Sequence, residues 1–573
     1  MPIRGDHATA TITRIRGAHT IKFGGEWRRS TNDDRWSGAG GGVFGFNQTA
    51  TGDALASVLT GWALSGSRAE ALLLRTRASA VGAFIQTDWK VSPKLTLNLG
   101  LRWDLDSPRR ELVDNRQNSF DQFAINPVSN TPGLLTWSGR NGLSDYAHNF
   151  DKNNFGPRLG FAYRASDKWV IRGGSGLLYV GQYDQATPIV ANIGFGLRGD
   201  VVSLDGGRTP AFLLKDGLPA LVPPSNDLLV PGYGAVKAGQ SPTLAVEFFE
   251  PSGRAVPYLF NFNLNVQRQL PGNAVIEVGY LSTIGHKLTA PGSRSINQVD
   301  PSRIGPGNAQ FLRPFPQFSD VRVIAPTIGN SNYHGANLRI EKRFSRGLQF
   351  NANYTWSKAI DDVESRDEIG GNAGDNAFAN QYDRRADRGL SGNHIAHRFI
   401  GSATWNLPVR VSRKTLNHIV GGWSTSLIYE ARSGSPFGVI ENNAAAIYPT
   451  AATVRSNAVA PYRQNPNWRA NVLGETYFDP ASFAAPAQYT FGNLGRTVAI
   501  GPGAVIADLA VLKSFPVREQ QRLQLRVEML NFLNRANFAL PNQSRGVANF
   551  GRISGLASGN QARIIQLGLH YKF

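Results

Sequence analysis

Apolar and polar residues alternate with a period of two along much of this chain, which places successive side chains on opposite faces of an extended strand. Between Lys94 and Asp106, Leu95, Leu97, Leu99, Leu101, Trp103 and Leu105 share one face. Thr96, Asn98, Gly100, Arg102, Asp104 and Asp106 share the other. The pattern returns at Tyr258 to Gln269, where Phe260, Phe262, Leu264 and Val266 alternate with Asn261, Asn263, Asn265 and Gln267. It returns again at Leu348 to Ser357, with Phe350, Ala352, Tyr354 and Trp356 against Gln349, Asn351, Asn353, Thr355 and Ser357. Less regular stretches of the same type are Thr11 to Arg16, His19 to Arg28, Arg77 to Lys90, Phe155 to Ala165, Trp169 to Val180 and Ala274 to Ile284. The rest are Tyr333 to Phe344, His397 to Leu407, Trp423 to Arg432, Val505 to Phe515, Arg522 to Leu533 and Ala562 to Phe573. Together they predict about fifteen strands, near the 9 to 11 residues that a tilted membrane strand needs. One segment differs: Leu55, Val58, Leu59 and Trp62 fall at i, i+3, i+4 and i+7, so Ala54 to Leu64 reads as a short amphipathic helix.

The connections carry a second pattern. Ser92-Pro93, Ser166-Asp167, Pro271-Gly272, Ser345-Arg346-Gly347 and Pro516 to Gln520 are tight and rich in turn residues. Ser107 to Asn154, Gly181 to Pro257, Gly285 to Asn332, Ala359 to Ala396, Ser433 to Ala504 and Asn534 to Gln561 are very long. Tight and long connections alternate, with Pro408 to Gly422 intermediate. A soluble sandwich has no reason to put every long connection at one end, whereas outer-membrane barrels have short periplasmic turns and long extracellular loops. Trp89, Trp103, Trp169, Tyr179, Trp356, Trp405, Trp423 and Tyr571 stand near strand ends, where a membrane barrel carries its aromatic girdles. The alternation alone fits either a buried core or a lipid-facing wall. The fold expected is therefore an all-β, membrane-spanning antiparallel barrel, with a soluble all-β secreted binding protein as the rival.

Composition narrows the function classes. The chain has 573 residues, a net charge of +19, 62 glycines and no cysteine. The missing thiols exclude disulfide scaffolds, iron–sulfur clusters, thiolate zinc sites and a cysteine nucleophile. Lys and Arg are spread singly instead of forming a stripe with stacking aromatics, which argues against nucleic acid. The charge suits a positive lumen or rim that attracts anionic solutes or sits against lipopolysaccharide. No run of 18 apolar residues is present, and the first residues, MPIRGDHATATITRIRG, hold no apolar signal region.

The last segment places Ile565, Leu567, Leu569, Tyr571 and Phe573 on one face and stops at the aromatic. It resembles the assembly signal of bacterial outer-membrane barrels, which their insertion machinery reads. HTIKFGGEWRR, KLTLNLGLRWDLD, NFGPRLGFAYR, ANLRIEKRFSRGLQFNANYTWSKAIDD, AHRFIGSATWNLP and LQLRVEMLNFLNRANFALPN, with this strand, resemble the barrel of TonB-dependent transporters of the Oar-like type. One departure is His394-Ile395-Ala396-His397-Arg398, where that family tends to have Asp-x-Arg-His-Arg. The resemblance implies a signal peptide, a small regulatory-like domain, a plug that contacts TonB and a barrel of about 22 strands. On that reading residues 1–573 are the C-terminal portion of the barrel, and the plug, signal peptide and N-terminal domain are absent from this chain. Implied partners are outer-membrane lipid and lipopolysaccharide, the insertion machinery, the TonB complex through the missing plug, and a substrate that the sequence does not name. A non-transporting surface barrel, an adhesin or porin-like protein, is the alternative.

Chemistry is sparse. Gly194-Phe195-Gly196-Leu197-Arg198-Gly199 matches G-x-G-x-x-G, but DVVSLDGG follows without helical period, so a nucleotide loop is not expected. Gly38 to Gly42 reads as a flexible loop. Asp361, Asp362, Glu364, Asp367, Glu368, Asp375, Asp383 and Asp387 crowd one connection, interleaved with Arg366, Arg384, Arg385 and Arg388, and read as a self-neutralised loop in preference to a Ca²⁺ site. His394 and His397, three apart, point to opposite faces of a strand and do not make a zinc pair. H-E-x-x-H, G-x-S-x-G and Walker A are missing. No enzyme, cofactor or metal is expected, and substrate choice is assigned to the long loops and the polar inner positions.

Overall fold

The computed structural model describes residues 3–36, 40–70, 72–181, 197–203, 205, 207–217, 230–252, 254–290, 293–363, 378–451, 453–517 and 521–572. Fifteen long strands form one antiparallel sheet. They are β1 (Ile3–Arg16), β2 (His19–Trp36), β3 (Leu72–Ser92), β4 (Leu95–Asp106), β5 (Asn154–Arg164), β6 (Trp169–Tyr179), β7 (Tyr258–Leu270) and β8 (Ala274–Thr289). There follow β9 (Thr327–Ser345), β10 (Leu348–Asp361), β11 (His397–Asn406), β12 (Trp423–Arg432), β13 (Ala504–Pro516), β14 (Arg522–Leu530) and β15 (Ile564–Lys572). Each pairs with the next in the chain, an up-and-down meander. Among the described residues no ladder joins β1 to β15.

Turn chemistry sets one end of the sheet. Arg16 pairs with His19 across Gly17-Ala18, and Gly17 has φ +56°, the first position of a two-residue hairpin turn whose twist matches the strands. Ser345 pairs with Leu348 across Arg346 (φ +52°) and Gly347 (φ +81°), a turn with both central residues left-handed. The other end carries every long connection. The intermediate connection between β11 and β12 holds a short helix, α2 (Lys414–Val420). Several strands run farther toward the long-loop end than the alternation predicts. β2 extends to Trp36 and β3 begins at Leu72, because polar pairs such as Asp33 and Arg75 continue the ladder where the apolar pattern has stopped.

Register makes the faces continuous. Leu427, Leu509, Met529 and Ile565 are partners in turn across β12 to β15, and Thr425, Val511, Val527 and Leu567 form the next row. Ile12, Phe23, Ile85 and Leu101 do the same across β1 to β4. These apolar side chains are not packed inside. Leu567 is 72% exposed, Leu569 66% and Ile85 54%.

The buried core lies instead in the long loops. Phe120, Leu135, Trp137, Val246, Phe248, Phe315, Phe318, Val321 and Val323 form one cluster, drawn from the β4–β5, β6–β7 and β8–β9 connections. Phe437, Val439, Trp468, Tyr477, Phe478, Phe483, Phe550 and Ile553 form a second, from the β12–β13 and β14–β15 connections. Each connection supplies short strands to these caps, such as the hairpin of Asn118–Ile125 with Pro132–Trp137. A helix forms in the predicted segment but is shorter, α1 (Ala54–Thr60), with Asp53 capping its first turn and left-handed Gly61 ending it, so that Trp62–Ala63 is instead a short strand paired with Phe212–Leu213. The facing of α1 differs from the amphipathic expectation: Ser57 is the buried residue, while Leu55, Val58 and Leu59 are exposed. The Ser57 hydroxyl bonds the Asn47 carbonyl at 2.7 Å, so a polar contact orients the helix.

Candidate functional site

The face opposite the exposed apolar rows is polar along the whole sheet. On β2 and β4 it carries a charged cluster in which Glu26 accepts from Arg28 (3.4 Å) and from Arg102, with His7 at 3.7 Å. Arg102 also donates to Asp104 at 2.9 Å. Gly82, between these strands, leaves the space that the Arg102 guanidinium fills, so any side chain there would displace it. Across β7 to β11 the same face presents Asn261, Asn263, Asn265, Asn337, Asn351, Asn353, Ser402 and Thr404. Pairs two residues apart recur on it: Arg339–Glu341 at 2.7 Å and Arg526–Glu528 at 2.6 Å. Arg158 and Arg172 share this face and make no ion pair among the described residues. Such a surface holds water and polar solutes through amides, hydroxyls and a few cations.

Over the long-loop end, buried ion pairs tie separate connections together. Arg496 pairs with Asp361 at the top of β10 and donates to the carbonyls of Asp387 (3.3 Å) and Leu390 (3.4 Å). Arg455 donates to Asp387 at 2.6 Å and to the Ala386 carbonyl at 2.8 Å. Burial pushes the Asp387 carboxyl up, against the pull of Arg455. Glu441 accepts from Arg545 at 2.7 and 2.8 Å and from Ser456 at 2.6 Å.

These contacts change the reading of the acidic connection. Asp361, Asp362 and Asp387 are neutralised as expected, but only Asp362 by an arginine of its own loop, Arg384 at 3.3 Å. The other two are met by arginines more than 60 residues away in sequence, a pairing that spacing cannot reveal. Asp383 caps a turn by accepting from the Arg385 amide. Glu364, Arg366, Asp367, Glu368 and Asp375 lie outside the described residues.

His394 and His397 are kept apart. His394 is buried before β11 and accepts from the Ala359 amide at 3.2 Å, while His397 lies on the exposed apolar face and pairs with the Tyr354 hydroxyl at 2.7 Å. Gly194, Phe195 and Gly196 lie outside the described residues, and Leu197–Val202 is a strand paired with Ser65–Glu70, not the start of a helix. Ile565, Leu567, Leu569 and Tyr571 share the exposed face of β15, and Phe573 lies outside the described residues.

At the junction of wall and cap, Asp106, Arg109, His148, Asp151, Phe249 and Arg254 line a cavity. Arg254 stacks over Phe249 at 5.3 Å and donates to the Ala325 carbonyl at 2.5 Å, and burial pushes it down to about 10. Burial likewise holds His148 down at about 4.

A wall with apolar rows exposed and a polar face behind them is stable only where lipid covers those rows. The family comparison agrees, since the model of the outer membrane beta barrel domain matches residues 6–566. The chain belongs to that family. As an outer membrane beta barrel domain it resides in the outer membrane of a Gram-negative bacterium, and its exposed rows are the lipid face. No curated protein matches it. It is similar to the pyoverdine outer membrane receptor FpvA from Pseudomonas aeruginosa PAO1 (9% identity, TM-score 0.42), over 100% of this chain and 52% of that one. It is similar also to the FrpB iron transporter from Neisseria meningitidis (11%, 0.41), over 99% and 54%. The siderophore receptor PiuA from Acinetobacter baumannii gives 10% and 0.40, over 99% and 55%. The chain spans about half the length of these structures.

The belt has aromatic margins. At the short-turn end His19 stacks on Trp89 (5.2 Å) and Arg268 lies over Trp169 (4.9 Å). At the long-loop end Tyr179 meets Tyr258, and Tyr280 and Tyr354 hydrogen-bond His334 and His397. Trp89, Trp169, Trp405 and Trp423 stand at the short-turn margin, and Trp103 and Trp356 lie toward the long-loop margin. The sequence pattern singles out His397 but not His334, because a single residue in an alternating strand carries no signal of its own.

Proposed function

We propose that this chain is the C-terminal barrel portion of a TonB-dependent outer-membrane transporter of the Oar-like type, with its long loops outside the cell. A substrate crosses along the polar inner face when a plug, driven by the TonB complex, moves. The observation that carries this reading is the wall: fifteen strands with a lipid face, a polar inner face and, among the described residues, no ladder between β1 and β15. On this reading further strands close the sheet, because unpaired strand edges cost several kcal/mol per unsatisfied group in lipid. The inner face, with its amides and the cations Arg158 and Arg172, suits polar and anionic solutes.

The deciding experiment reads the coding sequence upstream of Met1 and binds its full product to the periplasmic domain of TonB. Binding by the full product, lost when the segment before the barrel is deleted, supports the reading. A full product that closes its barrel yet never binds TonB leaves the surface-barrel alternative. Orientation is tested separately: a cysteine at Gly305 labels from outside intact cells and one at Ser345 does not, and the reverse pattern refutes it.

A further inference from the structure

Above its apolar belt the outward face of β1 to β4 changes chemistry within two rows. The last apolar row is Ala8, Trp27, Val81 and Leu105, register partners in turn. One row toward the long loops stand Asp6, Arg29 and Ser79. The next row is Arg4, Thr31, Arg77 and Arg110, again register partners in turn. Asp33 and Arg75 face each other one row farther. Rows two residues apart are separated by about 7 Å along a strand, so the arginine row lies at the depth of lipid headgroups.

The guanidinium groups are held in place by few acids. Arg29 donates twice to Asp6 (2.8 and 2.6 Å) and lies 5.2 Å over the Trp27 ring. Arg75 forms a two-point pair with Asp33. Arg4 and Arg110 have only long contacts, 3.9 Å to Asp6 and 3.7 Å to Asp145. Arg77 closes no ion pair among the described residues, and its buried Nε has no hydrogen-bond partner. Five arginines thus face three carboxylates. The matching rim of β7 to β11 is built differently, from Tyr258, Tyr280, His334, Lys358 and His397.

We propose that Arg4, Arg77 and Arg110, with Arg29 beneath them, dock a phosphorylated lipid headgroup of the outer leaflet. Arginine presents a planar fork that matches phosphate oxygens in two-point contacts, and the apolar row below, with Trp27, receives the acyl chains. The proposal rests on the orientation given above, but its test does not need it.

The full-length protein is purified in detergent and mixed with bisphosphorylated lipid A or the same lipid stripped of phosphate. Bound lipid is counted by native mass spectrometry. The wild type retains the bisphosphorylated form, and Arg77→Ser with Arg110→Ser lowers its occupancy about tenfold or more. Arg343→Ser with Arg346→Ser, at the opposite end of the wall, leaves it unchanged. Equal retention of both lipids by the wild type overturns the proposal, whether or not the double variant folds. Displacement by millimolar inorganic phosphate alone overturns it as well, because the site would then hold free phosphate. If labelling reverses the orientation while lipid retention persists, the site stands and the leaflet is wrong.

Discussion

The wall and the caps use the same apolar residue types and treat them in opposite ways. Leu567 and Leu569 on β15 are mostly exposed, whereas Val246, Phe248 and Phe318 in the caps are 0% exposed. The caps face water and must hide their apolar groups among themselves, as any soluble core does. The wall faces hydrocarbon, where hiding them gains nothing and where every backbone N–H and C=O must be paired within the sheet. Solvent, not composition, separates the two regions.

Charge follows the same division. Ion pairs inside the caps are buried and join loops far apart in sequence, such as Arg455 with Asp387. On the wall the charges stay on the inner face or beyond the belt, as with Glu26 and Arg102 or Asp33 and Arg75.

Breaking the caps should give the largest effect. Arg455→Leu leaves the Asp387 carboxyl buried without its partner, a loss of about 3–5 kcal/mol to the cap. The measurement is protease sensitivity of the β10–β11 and β12–β13 connections, which should rise while heat-modifiable gel mobility of the wall stays normal. Loss of both together would mean that caps and wall fold as one unit. Phe478→Ala in the second core should cost about 3–5 kcal/mol by the same readout, through a cavity instead of an unpaired charge.

On the wall, Leu567→Arg puts a charge into the belt and should cost about 2–4 kcal/mol, seen as less heat-modifiable protein in the membrane. An equal yield would mean that this face does not meet lipid. Phe573→Asp sharpens the point, because at the interface a charge costs only about 0–1 kcal/mol. A large loss of assembled protein from that change therefore reports failed recognition by the insertion machinery. Wild-type levels would remove the assembly role from Phe573.

The smallest effect concerns the junction. Burial holds His148 near 4, below the ordinary 6.5. The folded junction therefore favours the neutral ring, and the stability it contributes is full above about 6.5 and is lost as pH falls from there through about 4. Hydrogen exchange of the β4–β5 connection should quicken across that window, and His148→Gln should flatten the response. An unchanged profile in the variant would place the titrating group elsewhere.

The alternation of side chains by itself determined the strands, their number, their order and which end carries the loops. Each of these is local, since a strand of period two shows its faces within ten residues, as Leu95 to Leu105 does, and a tight turn declares itself in two, as Arg346-Gly347 does. The sequence also placed the tryptophans near the strand ends. It left open which solvent meets the apolar face, because a sandwich core and a lipid wall write the same pattern. Tertiary structure decided that, by exposing the rows on β15 and β3 and by placing the buried clusters in the loops. It also turned α1 outward through the polar contact of Ser57, and it gave Asp361 and Asp387 their arginines from a connection over 60 residues away. Those choices depend on contacts between segments remote in the chain, and remote contacts leave no periodicity for a sequence to show.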